Sequence, residues 1–493
     1  MLRSGLRTLV AAHLRLNVRA VVAATTLWSS PTEAQSSRGA LTPGTFAITN
    51  VSVIPMTGDT VIRNATVLVR DGRIAAIGPT RSIRVPRDTR TIDGRARYLL
   101  PGLADMHTHL FSDDAVHDSV APAELGVMIA NGVTVARLMI GTPEHLVLRR
   151  QIIEGTIAGP QLFVASPQLT GKPAANARVV TTPDEARGAV RDVKALGFDF
   201  IKLTTDITRP VYDAIVTQAR EDRIPVVGHV DLQVGVARAL EAGQQIEHLD
   251  GYLEAVLADS GQGRPSVSNY GLYALRQWAT LDYIDDRKVQ QIAGATARAG
   301  VYSTPTLTIF NLFGQSFDDD EIKARPDWAL LPPGFRTGYW NAKQRLGSPA
   351  SLAARTPERR ARYVEVRNAL TRAIADSGGR LMAGSDTPEW FHVYGFALHR
   401  ELLNLVKAGL TPYQALAAAT VNPAAFLGAS AEWGTLERGK RADLVLVAAN
   451  PLEDIGNTAR IDGVSLGGRW FDRPELDRMI AQAARLIAGP TTP

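Results

Sequence analysis

Two histidines one residue apart, His107 and His109, end a mostly apolar stretch of this 493-residue chain. In an extended strand, residues i and i+2 project to the same side, so both imidazoles can face one ion. On its own the pair reads equally well as two polar side chains at a strand end. Four further groups recur in the same setting. Lys202 lies in the apolar run Phe198–Leu203, although it could also snorkel to solvent. His229 ends Val226-Val227-Gly228, and His248 ends Gln245-Ile246-Glu247. Either could be a hydrogen-bonded core histidine. Asp386 ends Ala383-Gly384-Ser385, where it could cap the next helix. The chain has no Cys, which excludes disulfides, thiolate metal sites and a Cys nucleophile. A transition metal would have to be held by His and carboxylates. Taken together, six such groups at the ends of predicted strands point to a cation site.

The elements that must carry these groups alternate. Strand candidates lie near 99–105, 133–138, 161–166, 198–203, 224–229, 244–248, 300–306 and 380–385. Helical stretches at 121–131, 143–155, 183–196, 209–222, 232–242, 287–299 and 357–377 separate most of them. Gly132, Gly197, Gly243 and Gly300 end helices just before a strand. Eight strands alternating with helices predict an α/β fold, a (β/α)8 TIM-like barrel over 99–430, with active-site groups at the carboxyl ends of its strands. Residues 46–98 and 431–472 are rich in short strands, with Asp71-Gly72 between two apolar runs as a hairpin signal. They predict a small β-sandwich domain formed from both termini. Residues 473–493 read as a helix and tail. The connections 250–286 and 307–356 are rich in Gly, Pro, Asp and aromatic residues and read as long loops over the active site.

Apolar residues make up 45% and charged residues 21%, which excludes a disordered or fibrous chain. The net charge is +5, and residues 1–34 supply +3 of it through Arg3, Arg7, Arg15 and Arg19 against Glu33. The remainder is too small to argue for nucleic acid or an anionic membrane. The same segment has a basic stretch, an apolar run from Ala20 to Trp28 and small residues before Gln35. That order predicts a signal peptide at about 1–34 and an exported protein, periplasmic or secreted.

The stretches Tyr98–His109, Gly228-His229, Ile246-Glu247-His248 and Ala383–Thr387 resemble the strand motifs of the amidohydrolase superfamily. Thr420–Ala424, Gly434–Leu444 and Asn450-Pro451-Leu452 resemble its tail. The likeness is greatest to the branch of imidazolonepropionase-like proteins and Xaa-Pro dipeptidases. This resemblance implies two divalent metal ions, zinc favoured, that generate a hydroxide nucleophile. It implies His107, His109 and Asp386 as ligands of one ion and His229 and His248 as ligands of the other. Lys202 matches the lysine that CO2 carboxylates to a bridging carbamate in binuclear members. Imidazolonepropionase lacks that lysine, so Lys202 points toward the dipeptidase group. Asp386 matches the catalytic proton shuttle.

The expected activity is hydrolysis of an amide bond in a dipeptide, an N-acyl amino acid or an ochratoxin-like aryl amide. The alternatives are a lactone, cyclic amide or phosphoester, or a catalytically silent binding relative, against which all six ligand positions count. The expected protein is a homo-oligomer with a small-molecule substrate, free of the membrane after processing. Candidate substrate contacts are Tyr252, His392, Arg178 and His145, with Trp390, Phe391 and Tyr394 as an aromatic wall. Arg178 is the candidate partner of a substrate carboxylate.

Overall fold

The chain passes from one sheet to another at Gly102. Tyr98–Pro101 pairs antiparallel with Leu444–Val447 and parallel with the strand Phe46–Val53. Leu103–Thr108 pairs parallel with Val133–Leu138 instead. The stretch expected as one strand, 99–105, is therefore two, because Gly102 donates its N–H to Asp443 O while Leu103 donates to Gly132 O. The computed structural model describes residues 44–110, 120–259, 275–314 and 319–488. The expected signal peptide, 1–34, lies outside them.

Both ends of the chain build the first sheet. Ile62–Arg70 and Arg73–Pro79 form the expected hairpin, with Asp71 and Gly72 at φ 51° and 76°, as a primed turn requires. Leu444–Val447, Ile461–Leu466 and Arg469–Asp472 add the carboxyl-terminal half. The sheet curls: Ile74 N–H donates to Lys440 O and Ala442 N–H to Gly72 O. Alternation along the strands puts Phe46, Ile48, Val67, Val69, Leu444 and Trp470 into one apolar cluster. Phe46 and Trp470 meet there with ring centroids 5.7 Å apart.

The remaining strands are parallel. β1 (Leu103–Thr108), β2 (Val133–Leu138) and β3 (Gln161–Val164) form one sheet. β4 (Ile201–Leu203), β5 (Val226–Gly228), β6 (Gln245–Glu247), β7 (Tyr302–Thr304) and β8 (Arg380–Leu381) form the second, with short strands at 168–170 and 177–179. Hydrogen bonds join the two. Asp199 N–H donates to Val164 O and Ser166 N–H to Phe200 O, while Met106 N–H donates to Ala383 O and Ser385 N–H to His107 O. Helices fill the crossovers where their sequence signals fall. In Pro183–Leu196, Thr182 and Glu185 form a capping box, Pro183 opens the first turn and Gly197 closes the helix.

The connection after β7 differs from the loop expected of it. It carries helices at Leu307–Gly314, Asp319–Ala324, Pro333–Leu346 and Pro349–Ala354. Two of its prolines, Pro333 and Pro349, imitate a loop composition but stand at helix starts, where a missing N–H costs nothing.

Candidate metal centre

The carboxyl ends of the parallel strands deliver all six singled-out groups to one cavity of about 340 Å³. His107 is on β1 and His109 follows it. Lys202 is on β4, His229 and His248 follow β5 and β6, and Asp386 follows β8. The ligand atoms of His107, His109 and Asp386 lie within 4.8 Å of one another. Asp386 Oδ1 stands 3.3 Å from His107 Nε2 and 3.2 Å from His109 Nε2. The His248 ring is 4.6 Å from that of His107 and 4.8 Å from that of His229. Two glycines permit this crowding. A Cβ on Gly384 would come within 2.7 Å of His107 Cβ. Gly228 has φ +117°, and a Cβ there would reach 2.4 Å from Leu203 O and 3.0 Å from Lys202 Cδ.

Neighbours fix the orientation of the imidazoles. His107 Nδ1 donates to Glu247 Oε2 at 2.7 Å, and His229 Nδ1 to Asp250 Oδ2 at 2.6 Å. The Thr306 hydroxyl gives its proton to Pro305 O, so it accepts from His248 Nδ1 at 2.8 Å. In each ring Nδ1 is the donor, which leaves the Nε2 lone pair as the ligating atom. Burial lowers His107 to about 4, against the opposing pull of Asp386 and Glu247, and lowers His248 well below the usual histidine range. Burial alone would raise Asp386, but His107, His248 and His109 outweigh it and hold the carboxyl well below its ordinary value. Neutral imidazoles and an ionised carboxylate are the protonation states that bind divalent metal, so this donor set fits such an ion. Burial also pushes the Lys202 ammonium down, against Glu247 and Asp386. The neutral amine thereby favoured is the form that CO2 attacks.

Beneath the histidines lies a residue that the sequence analysis did not single out. Arg137, on β2, is fully buried. Its Nε donates to Met106 O, Nη1 to Gln245 Oε1 and Nη2 to Glu247 Oε1, at 2.6, 2.6 and 2.7 Å. Phe200 and Phe426 flank the guanidinium at 5.6 and 5.4 Å. Burial would raise Glu247, but Arg137 and His107 hold it down at about 2, so it stays an anion that accepts from His107. Removing one member of a buried pair strands the other charge, at a cost of about 3–5 kcal/mol. Arg137→Met is therefore expected to lower unfolding stability by about that amount in a denaturant titration. A second change, Glu247→Gln, should recover part of the loss. A change below about 1 kcal/mol in the single variant would show that the pair carries no such strain.

Four of the proposed substrate contacts lie away from the cavity lining. Arg178 is on the surface and pairs with Asp192 at 2.8 Å. His145 is buried in the capping box of its helix, where Nδ1 accepts from Thr142 N–H. The Tyr252 hydroxyl is held by Thr296 and Ser303 behind β7. His392 is buried beside Arg400, 3.5 Å from its Nη1. Of the aromatic wall, Trp390 lines the cavity. Phe391 packs on Trp340 and Tyr339, and the Tyr394 hydroxyl donates to Glu124. Phe310, Arg367, Glu254 and Asp250 border the cavity instead. The string Gly463-Val464-Ser465-Leu466-Gly467 has the spacing of a serine nucleophile motif. Its serine is buried in a strand of the terminal sheet, where its hydroxyl donates to Ala442 O.

Comparison with known proteins agrees with this arrangement. The family model "Amidohydrolase family" matches residues 98–471, so the chain belongs to that family. It is a hydrolase acting on carbon–nitrogen bonds, and its parallel strands make a TIM-barrel-like α/β domain. Imidazolonepropionase of Symbiobacterium thermophilum is 24% identical over 408 residues, 79% of this chain and 84% of that protein. The structure of a bottromycin amidohydrolase superposes with a TM-score of 0.70 at 27% identity, covering 90% of each chain. A protein assigned as a prolidase from Bifidobacterium longum gives 0.64 at 26% identity, covering 90% of this chain and all of that one.

Proposed function

We propose that this enzyme is a binuclear metal-dependent amidohydrolase that cleaves an amide bond in a dipeptide, an N-acyl amino acid or an ochratoxin-like aryl amide. The observation that carries this reading is Lys202. It is 1% exposed, forms no salt bridge among the described residues and shares one cavity with four histidines and Asp386. Burial there disfavours the ammonium form, against Glu247 and Asp386. A carboxylated Lys202 would instead supply two anionic oxygens between His107/His109/Asp386 on one side and His229/His248 on the other. The cross-sheet hydrogen bonds at Asp199–Val164 and Met106–Ala383 support a closed eight-stranded barrel, and the curled mixed sheet supports a small β-sandwich from both termini.

Two divalent ions held there, zinc by preference for His and carboxylate ligands, would acidify water and polarise the scissile carbonyl. The chain's own residues do the rest. Asp386 takes the proton of the attacking water on a carboxylate oxygen and returns it to the leaving nitrogen. Glu247, Asp250 and Thr306 keep the three imidazoles in one tautomer throughout. Phe310, Ile309 and Trp390 wall the cavity and limit its water.

Elemental analysis combined with a product-resolved screen of dipeptides, N-acyl amino acids, lactones and phosphoesters tests the reading. Two metal equivalents per chain and release of a free amine are expected. One equivalent at most, or turnover confined to lactones or phosphoesters, would overturn it.

A further inference from the structure

Arg367 lies on the helix Pro357–Asp376, between β7 and β8. It is 1% exposed and borders the metal-site cavity. Nη2 donates to His248 O at 2.9 Å and to Pro305 O at 3.0 Å. Nε is buried with no hydrogen-bond partner. Arg400, on the following helix, has Asp327 at 2.7 Å, but Arg367 has no acidic partner in salt-bridge range among the described residues. Its guanidinium is stacked 4.3 Å from the Phe310 ring centroid and 5.6 Å from that of Tyr363. Phe310 lines the cavity and stands 5.2 Å from the His248 ring. The cation is thus one aromatic ring away from a metal-site histidine. The carboxyl of Glu254 borders the same cavity outside salt-bridge range of Arg367; burial, aided by Asp250 and opposed by Arg367, pushes it up to about 7.

Fastening two carbonyls needs only one donor group. A neutral side chain could do that without burying a charge. With Nη2 spent on the two carbonyls and Nε buried, Nη1 is the donor left for a carboxylate, which it can hold by a charge-assisted N–H bond. We propose that Arg367 anchors a carboxylate of the substrate, so that the enzyme selects amides whose leaving amine is a free amino acid over neutral amides. This rests on the hydrolase reading above and names the group that its pocket recognises. It also moves the carboxylate contact from Arg178, which is spent on Asp192.

The metal-loaded protein would be tested with a panel of N-acetyl amino acids and their carboxamides for turnover. The free amino acids and their amides would be tested for binding by calorimetry. Wild type should favour the acids by about 10- to 100-fold in KM and Kd, the worth of a charge-assisted hydrogen bond. Arg367→Gln should erase that preference by raising KM and Kd for the acids to the level of the amides. Arg367→Lys, which keeps the cation, should retain part of it. Equal handling of acids and amides by wild type overturns the proposal without any variant. A uniform loss on both series in Arg367→Gln also overturns it, since a carbonyl fastener would act on both alike. Acid-selective binding that disappears in Arg367→Gln, with no turnover of any compound, supports the anchor and strikes the hydrolase reading instead.

Discussion

Lys202→Ala is expected to lower kcat/KM by about 10³-fold or more and to reduce the metal content below two equivalents per chain. Lewis-acid stabilisation by a metal ion is worth several kcal/mol, and each 1.36 kcal/mol is tenfold in rate. The substitution removes the oxygens proposed to join the two histidine groups, so the effect should fall on metal occupancy as well as on rate. Truncation also opens space beside Gly228, whose surroundings include Lys202 Cδ. Formate or acetate can enter that space and supply a carboxylate, so either should restore part of the activity and part of the metal. Lys202→Met fills the volume without offering a ligand, and it should not respond to either anion. Elemental analysis and turnover with and without 50–100 mM acetate (roughly the range that saturates a weak carboxylate site) check this. Wild-type activity and full metal in Lys202→Ala would remove the carbamate from the reading.

What the sequence made legible follows from where polar groups interrupt apolar runs. His107, His229, His248 and Asp386 each stand at or near the carboxyl end of a short strand-like segment and Lys202 within one, and period-2 and period-3.6 patterning located the strands and helices that carry them. Pro183 with Thr182, and Asp71-Gly72, are local signals whose meaning does not depend on the rest of the fold. Glu247 and Arg137 carry no such signal. Their roles arise from contacts across the sheets, with His107 and Glu247 140 residues apart and Arg137 and Glu247 110 apart. No periodicity encodes which strands face each other at that range. Arg367 was hidden differently. It lies among Arg359, Arg360, Arg362 and Arg372 on one helix, and composition cannot tell the one buried arginine from its partly or fully exposed neighbours. Arg178 erred in the opposite sense: a cation in the loop after a strand looked directed at the site, but Asp192 holds it at the surface.

Asp386→Asn is expected to lower kcat by about 10²–10⁴-fold, the usual worth of a general acid–base group. The amide keeps the shape of the side chain but loses the basic oxygen that takes the proton from water. It also loses the anion toward which His107 and His109 both direct Nε2. KM should change less, because the walls of the cavity and Arg367 are untouched. Metal occupancy should fall only in part, since four histidines and Lys202 remain as donors. The fold should survive. The backbone at this position is held by Asp386 N–H donating to His107 O at 2.7 Å, and by Asp105 accepting from Ser385 N–H and Oγ. None of these bonds uses the Asp386 side chain. Steady-state kinetics with elemental analysis on the same preparation separates a lost proton shuttle from a lost ion. A variant with full metal and more than about a tenth of the wild-type kcat would take Asp386 out of the proton path. His109, which shares the cavity with the carboxylate at 3.2 Å, would then be the next base to test.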